Sequence, residues 1–447
     1  MKTILKPIIL AFTLLLVRAV NTEAASLTTI HDFDSTNGAG PEGNLILSSN
    51  ILFGTTTSGG ISNCGTVFAI NTDGTGFTNL YSFSGPDGSN PYSGLVLAGN
   101  TLYGTTRGPI PQNGGVITNG GTIFAINTDG TGFTNLHSFS GNDGFQPHAG
   151  LVLSGSTLYG TANVGGSNGF GTVFAVNTDG TAFTVLHSFG GSDGAYPSSD
   201  LVLSSNTLYG TAEDGPNSRG TIFAINTDGT GFTNLFSFSG DNGSYPYAGL
   251  VLSGKTLYGI TYSGGTNDAG VIFAINTDGT GFTNLFNFNF YDGYEAQSDL
   301  ILSGNTLYGA ALFGGNIDLP LNGTIFAMNT DGTGFTNLYN FSGSDGAMPD
   351  GGLVLSGNAL YGTTAAGGSG DIESGGAGTV FALNLLNPIP LNIQLINNAV
   401  ILSWTNSAFS LQAATNAAGI YTNVPDATSP YTNAITDSQM FFRLQSN

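Results

Sequence analysis

Short apolar runs, each bounded by glycine or by small polar residues, make up most of the chain. Four of them form a typical set: LVLSG at 151–155, TLYGT at 157–161, GTVFAVN at 171–177 and FTVLHSF at 183–189. Runs of this length that are rich in Val, Ile, Thr, Tyr and Phe predict β-strands. The third run is almost continuously apolar, as in a strand that is buried on both faces. Because no helical spacing of apolar residues is found, the pattern predicts an all-β chain.

The same four runs recur along the chain. An NTDG segment follows the third run with a period of about 50 residues, beginning at Asn71, Asn127, Asn177, Asn226, Asn276 and Asn329. Four strands in such a period are typical of a β-propeller blade of the kelch kind. NTDG fits a tight turn between strands three and four, because Asp can bond nearby backbone and Gly can adopt positive φ. Calcium binding by these aspartates is the alternative, although their spacing does not match an EF-hand loop.

The two ends of the repeat array complement each other. Residues 27–33 (LTTIHDF) match a fourth run without its first three, whereas the last unit has runs at 353–355, 360–364 and 378–384 and no fourth. We therefore predict a seven-bladed β-propeller with four-stranded blades, closed by the N-terminal strand. If that strand is outermost, the joins between strands two and three lie on the same face as the Asp-Gly segments that link the blades.

Both termini depart from the repeat. In residues 1–24, Lys2 and Lys6 precede an apolar run that is short for a membrane span, and small residues follow. We predict a signal peptide cleaved after Ala24, with Ala19 as the alternative, and an exported, extracellular or cell-surface protein without a transmembrane span. Residues 25–386 would form the propeller. Residues 387–447 lack the glycine rhythm and contain short strand candidates, which predicts a small immunoglobulin- or fibronectin-like β-sandwich around Trp404.

Composition limits the partners. The chain has 447 residues, with 7 Lys+Arg against 28 Asp+Glu and a formal net charge of −21. Nucleic acids and anionic lipids require basic surfaces, so neither is an expected partner. Cys64 is the only cysteine, which excludes an intramolecular disulfide.

The sequence contains matches to catalytic motifs, but they lie in the wrong structural context. The G-x-S-x-G matches at 165–169 and 190–194 fall between strands, and no helix follows the G-x-G-x-x-G match at 38–43. His31, His137 and His187 share one repeat position where other units have Tyr or Phe, which indicates an aromatic packing position. We therefore predict no enzyme, no metal centre and no cofactor, with calcium as a weak alternative.

Binding residues are expected where the repeats differ. The joins between strands two and three vary most, at 58–64, 107–120, 163–170, 213–219, 262–269, 312–322 and 365–377. Loops on a rigid scaffold are where binding residues concentrate. The candidates are Arg107, Glu213, Asp214, Tyr262, Asp268, Phe313, Asp318, Asp371 and Glu373. Each could equally be an ordinary solvated loop residue.

The long repeated segment, GTIFAINTDGTGFTNLHSF at 121–139, closely resembles the bacterial GloVer tandem repeat, and the resemblance covers residues 27–384. It implies an exported protein with an interchangeable C-terminal module, and it carries over no functional residues. We expect a non-enzymatic binding or scaffold module for an extracellular glycan or protein. The alternatives are a glycan lyase or hydrolase with its site in the central funnel, and a structural surface-layer component. Non-repeated acid, His or Arg side chains at the channel mouth would favour the enzyme.

Overall fold

The computed structural model describes residues 25–108, 120–315, 322–369 and 376–385, and the C-terminal segments 392–396, 399–403, 409–414, 422–424, 427–434 and 441–446. Ala25–Leu385 form one compact unit, and Leu386–Asn447 belong to a second. The first unit consists of seven four-stranded antiparallel sheets arranged as a β-propeller. The predicted all-β, seven-bladed fold is confirmed. The predicted signal peptide lies outside the described residues.

The strands follow the predicted runs. Blades 1 to 3 contain β2 (Ile46–Ser48), β3 (Ile51–Thr56), β4 (Thr66–Asn71) and β5 (Thr78–Ser82); β6 (Val96–Ala98), β7 (Thr101–Thr106), β8 (Thr122–Asn127) and β9 (Thr134–Ser138); and β10 (Val152–Ser154), β11 (Thr157–Ala162), β12 (Thr172–Asn177) and β13 (Thr184–Ser188). Blades 4 and 5 contain β14 (Val202–Ser204), β15 (Thr207–Ala212), β16 (Thr221–Asn226) and β17 (Thr233–Ser237); and β18 (Val251–Ser253), β19 (Thr256–Ile260), β20 (Val271–Asn276) and β21 (Thr283–Asn287).

The last two blades complete the ring. Blade 6 contains β22 (Ile301–Ser303), β23 (Thr306–Ala311), β24 (Thr324–Asn329) and β25 (Thr336–Asn340). Blade 7 contains β26 (Val354–Ser356), β27 (Ala359–Thr364), β28 (Thr379–Asn384) and the N-terminal strand β1 (Ser26–Asp32). Strand β1 pairs antiparallel with β28, from Ser26 opposite Asn384 to Asp32 opposite Thr379. The predicted closure by the N-terminal strand, in the outermost place of the last sheet, is confirmed.

The second and third strands of each blade form the core. In blade 3, Leu158, Val173 and Phe174 are fully buried, and the equivalent side chains are buried in the other blades. The Tyr-Gly-Thr sequence of strand two has a packing reason, because a Cβ atom on Gly160 would lie 2.7 Å from the Phe174 ring. Only glycine leaves room for that ring between the sheets.

Neighbouring blades are held together by stacked rings. His137 at the end of β9 stacks on Phe183 of the next blade, with ring centroids 3.6 Å apart and planes 5° apart. The Nε2 atom of His137 also lies 2.9 Å from Oδ2 of Asp143 in the following Asp-Gly link, whose Oδ1 accepts a hydrogen bond from the N–H of Ser140. The histidine position is therefore an aromatic packing position, as predicted, and the link aspartate has a structural role in its own turn.

The NTDG segments form the predicted turns. Oδ1 of Asp129 accepts hydrogen bonds from the N–H of Thr131 at 3.0 Å and from its hydroxyl at 2.6 Å. The same pair of bonds recurs in the other five NTDG turns. In the fully exposed Asp129, the hydroxyl and backbone bonds of Thr131 lower the pKa of the carboxyl.

The C-terminal unit also contains strands. One three-stranded sheet holds β29 (Asn392–Ile396), β30 (Ala399–Ser403) and β33 (Tyr431–Ala434), and the other holds β31 (Phe409–Ala414), β32 (Thr422–Asn423) and β34 (Phe441–Ser446). Leu402 in the first sheet and Leu411 in the second are fully buried. Trp404 lies outside the described residues. Within the described part of the chain, no helix has the length and apolar character needed to cross a membrane.

Candidate binding site

The polypeptide enters every blade through a link that ends in proline, except in blade 6, where Ala296 takes its place. The residue before it has φ between 54° and 60° in blades 2 to 7, although it is never glycine there. Its carbonyl accepts a hydrogen bond from the first residue after strand two in several blades, as from the N–H of Arg107 to Asn90 at 3.0 Å. Such left-handed backbone requires support from its surroundings. The arrangement fixes two positions in each blade: the post-proline position, and the post-strand position directly after strand two.

These positions surround a cavity of about 510 Å³ at one end of the channel, which we call the funnel. A volume in this range is typical of small-molecule sites. The post-proline positions in blades 1 to 7 are Glu42, Tyr92, His148, Ser198, Tyr247, Gln297 and Asp350, all of which line the funnel. Four post-strand residues also line it, namely Arg107, Asn163, Glu213 and Tyr262. In blade 5, strand two ends one residue early at Ile260, so Thr261 stands between the strand and Tyr262. Links and joins are paired by isolated bridges such as Ala195 with Asp214, which confirms that both lie on one face.

Three side chains that precede the inner strands meet at the floor of the funnel. The Nδ2 atom of Asn44 donates to Oδ2 of Asp299 at 2.7 Å and to Oδ2 of Asp200 at 3.3 Å. Each of the three also accepts a backbone N–H from the preceding blade, where the equivalent residue is Gly352, Gly150 or Gly249. Burial raises the pKa of both aspartates, and the charge of Asp299 raises that of Asp200 further.

The acidic side of the funnel lies at blades 7 and 1. Burial raises the pKa of Asp350 to about 8, with further contributions from the charges of Glu42 and Asp299. Burial also raises the pKa of Glu42 to about 7, against a hydrogen bond from Tyr92 and the charge of Arg107, which both lower it. Near neutral pH these two carboxyl groups can therefore hold protons, which ordinary surface carboxyl groups cannot.

Blades 2 and 3 contribute a cation and a neutral histidine. Burial, together with the charge of Arg107, lowers the pKa of His148 to about 3, so its imidazole is uncharged at neutral pH. Its ring stacks on Tyr92 with centroids 5.3 Å apart. Nε of Arg107 and Nε2 of His148 are buried and lack a hydrogen-bond partner within the described residues. Buried polar atoms normally have partners, so these two are available to a ligand.

Blades 3 to 5 supply amide, carboxyl and phenol groups. Asn163 donates from Nδ2 to Oε1 of Glu213 at 3.0 Å. Burial raises the pKa of Glu213, although the hydrogen bond from Asn163 opposes the shift. The Tyr247 and Tyr262 rings meet edge to face at 5.3 Å, and burial raises the pKa of Tyr247 to about 12.

The structure separates the candidate residues into groups. Arg107, Glu213 and Tyr262 line the funnel. Three others contact their own surroundings outside the funnel lining: Asp214 bonds the N–H of Gly215, Asp268 bonds the N–H of Gly264, and Phe313 stacks on Tyr294. Asp318, Asp371 and Glu373 lie outside the described residues.

Sequence reasoning missed the post-proline residues. Their signal was available, because the residue after each link proline differs between blades while the proline itself recurs. The floor residues Asn44, Asp200 and Asp299 were missed too, although glycine occupies the other four equivalent positions. Over the described ranges, no group of three or more His, Cys, Asp or Glu side chains is placed to hold a metal ion.

The fold and the funnel define a seven-bladed propeller whose regular blades surround an irregular polar cavity. The sequence model of the Gloeobacter/Verrucomicrobia repeat matches residues 16–119, 112–273 and 266–393. The chain belongs to this repeat family.

Of the solved structures compared, the one with a TM-score above 0.5 supports the fold alone. No curated protein sequence matches the chain significantly. An oligogalacturonate lyase in complex with manganese superposes with a TM-score of 0.54 at 10% identity, over 82% of this chain and 95% of the lyase. TolB from Acinetobacter baumannii gives 0.39 at 14% identity, over 62% of this chain and 59% of TolB. A chain of a nidogen/laminin complex gives 0.37 at 15% identity, over 55% of this chain and 79% of the other.

Proposed function

We propose that this protein is an exported or cell-surface binding module that holds a neutral glycan in its funnel. One observation carries the proposal. The post-proline position presents Glu, Tyr, His, Ser, Tyr, Gln and Asp around the ring, while the strands behind it repeat almost unchanged. A position that served packing alone would share the regularity of the strands.

The chemistry of the lining favours a polar ligand without negative charge. Five carboxyl groups line the cavity, from Glu42, Asp200, Glu213, Asp299 and Asp350, against the guanidinium of Arg107. Those that are ionised repel anions, and those that are protonated supply no positive charge to attract them. Carboxyl, amide and phenol groups bond sugar hydroxyls, and tyrosine rings offer apolar faces to sugar rings. A protein partner on the same face is the alternative occupant.

The test begins with a glycan array probed with the mature protein, with and without calcium, followed by calorimetry on each glycan that binds. The repeats supply variants that the fold already tolerates. Arg107→Thr copies the post-strand residue of blade 1, and His148→Ser copies the post-proline residue of blade 4. Lys255→Asn is the matched control, because Lys255 lies in an inner hairpin where five of the other six blades have Asn.

We expect each funnel variant to weaken glycan binding at least tenfold and Lys255→Asn to leave it unchanged. Tenfold corresponds to about 1.4 kcal/mol, the scale of one hydrogen bond to a charged group. If all three variants bound the glycan as tightly as the parent protein does, the binding site would lie outside the funnel. No glycan binding by the parent protein would refute the proposal.

Glycan cleavage is the second candidate, and the pair of Glu42 and Asp350 favours it. Two carboxyl groups with raised pKa values, in adjacent blades and on one cavity wall, are suited to general acid–base work on a glycosidic bond. Incubation of the parent protein with each bound glycan, followed by chromatography of the products, tests it. Cleavage that disappears in Glu42→Gln, with glycan binding retained, would support catalysis, whereas intact glycan throughout would leave a binding module.

A further inference from the structure

Aromatic side chains continue from the funnel wall across blades 5 and 6. Tyr262 meets Tyr247 inside the funnel, and burial together with the neighbouring Glu295 carboxyl raises the pKa of its phenol. Next to them, Tyr294 stacks on Phe313 with centroids 5.4 Å apart and planes 28° apart. The Phe290 ring meets Tyr294 edge-on at 5.1 Å. We call Tyr262, Tyr294, Phe313, Phe290 and the chain neighbour of Phe290, Tyr291, the aromatic track.

The outer part of the track belongs to one repeat. Phe290 stands where five other links have glycine, at 85, 141, 191, 240 and 343. Phe313 stands where other joins have small or polar residues or valine, as at Ser58, Gly108, Val164, Asp214, Ser263 and Ala366. The blade fold therefore does not need these rings, since six blades form without this combination.

The two outermost side chains of the track are exposed to solvent, which is unusual for large apolar rings in this protein. Phe290 and Tyr291 are 58% and 60% exposed, although they bear large rings. Apart from them, the large hydrophobic side chains that are exposed in the described residues are Ile61 and Met348. Exposed apolar groups that lie together beside a polar cavity mark binding surfaces.

We propose that the ligand of the funnel is an oligosaccharide chain, and that the aromatic track binds the sugar units that extend out of the funnel. This inference rests on the glycan-binding function proposed above. Sugar rings present C–H faces that pack on aromatic rings, and their rims carry hydroxyl groups that bond neighbours such as Glu295. A chain that begins among the carboxyl groups of the funnel leaves it most favourably over blades 5 and 6, where the rings are exposed.

The test compares chain lengths. Calorimetry measures the affinity of the full mature chain for neutral β-1,4-linked glucose, xylose and N-acetylglucosamine oligomers of about one to six units. The track variant is Phe290→Gly with Tyr291→Ser, which restores the small residues of sibling links. Ile61→Ala is the control. Ile61 is 92% exposed in the join between strands two and three of blade 1, and it lies outside the track.

We expect the affinity of the parent protein and of Ile61→Ala to rise at least tenfold from the shortest bound oligomer to the longest. In the track variant this gain should disappear, while the affinity for the shortest oligomer stays unchanged. Short oligomers that bind without any gain from length would overturn the track and leave the funnel proposal standing. A gain retained in the track variant would also overturn it, and binding of no oligomer would overturn both.

Discussion

The two ends of each blade differ in how strictly they repeat. At the turn end, an aspartate bonds a threonine in the same way in six blades, with hydroxyl distances of 2.6 Å each time. At the funnel end, one structural position holds six different residue types in seven blades. Regular contacts therefore maintain the propeller, while departures from regularity collect at one cavity.

The carboxyl groups at the two ends also differ in the direction of their pKa shifts. The turn aspartates are exposed and have lowered pKa values, because neighbouring donors favour their charged form. The funnel carboxyl groups have raised pKa values, because burial disfavours their charge. Groups held in unfavourable surroundings are typical of functional sites and are tolerated because the rest of the fold supports them.

Ring closure gives the largest expected effect. Deleting Ser26–Asp32 should leave β28 unpaired on its outer edge and abolish cooperative unfolding, since every other blade depends on a closed ring. Circular dichroism melting curves measure the loss. As the control, moving these seven residues to follow Asn384 through an added TDGT segment, which completes an NTDG turn with Asn384, should restore a single transition. A sharp melt in the deletion itself would show that closure is dispensable.

The floor of the funnel comes next. Asn44→Asp should destabilise the protein by about 3 kcal/mol, because a third buried carboxyl would replace the amide that bridges Asp200 and Asp299. Urea denaturation at pH 7 measures the change. Adding Asp299→Asn to this variant returns an amide to the floor and should recover most of the stability. A single variant as stable as the parent would contradict the bridging role.

Raising the pH should lower the free energy of unfolding, because the buried carboxyl of Asp350 loses its proton. A carboxyl whose folded pKa is raised contributes stability that is complete below its unfolded value near 3.8 and is lost as pH rises through the folded value, about 8 for Asp350. Asp350→Asn should therefore stabilise the protein at pH 9 by about 1–3 kcal/mol and change little at pH 5. Urea denaturation at both values tests this, with Asp129→Asn in an exposed turn as a control that leaves the alkaline loss intact. Equal effects of Asp350→Asn at both pH values would refute the assignment.

Much of the fold followed from the sequence for local reasons. The turn aspartates, the aromatic packing position of His137 and the strand boundaries depend on neighbours within the same repeat or the next one. The closing strand followed because residues 27–33 copy a run that the last unit lacks. Strand Tyr431–Ala434 gives no such local signal, since YTNA carries a single large apolar residue.

The funnel could not be derived in the same way. Asn44 meets side chains 156 and 255 residues away, and only the closed ring brings them together. The pKa values of Glu42 and His148 depend on burial among residues of several blades, which no single repeat reveals. Variation in the joins pointed to the correct face and to Arg107, Glu213 and Tyr262, but the variation after each link proline was overlooked.

The division between a regular scaffold and an irregular binding site is tested most directly by making the funnel more regular and measuring the stability of the protein. A triple variant with Arg107→Thr, His148→Ser and Glu213→Asn replaces three lining residues by those of sibling blades, and urea denaturation at pH 7 gives its free energy of unfolding. If the irregular residues serve binding, the variant should be at least as stable as the parent to within about 0.5 kcal/mol. A loss of more than about 3 kcal/mol would show that these residues hold the propeller together, and would contradict the division between a regular scaffold and an irregular site.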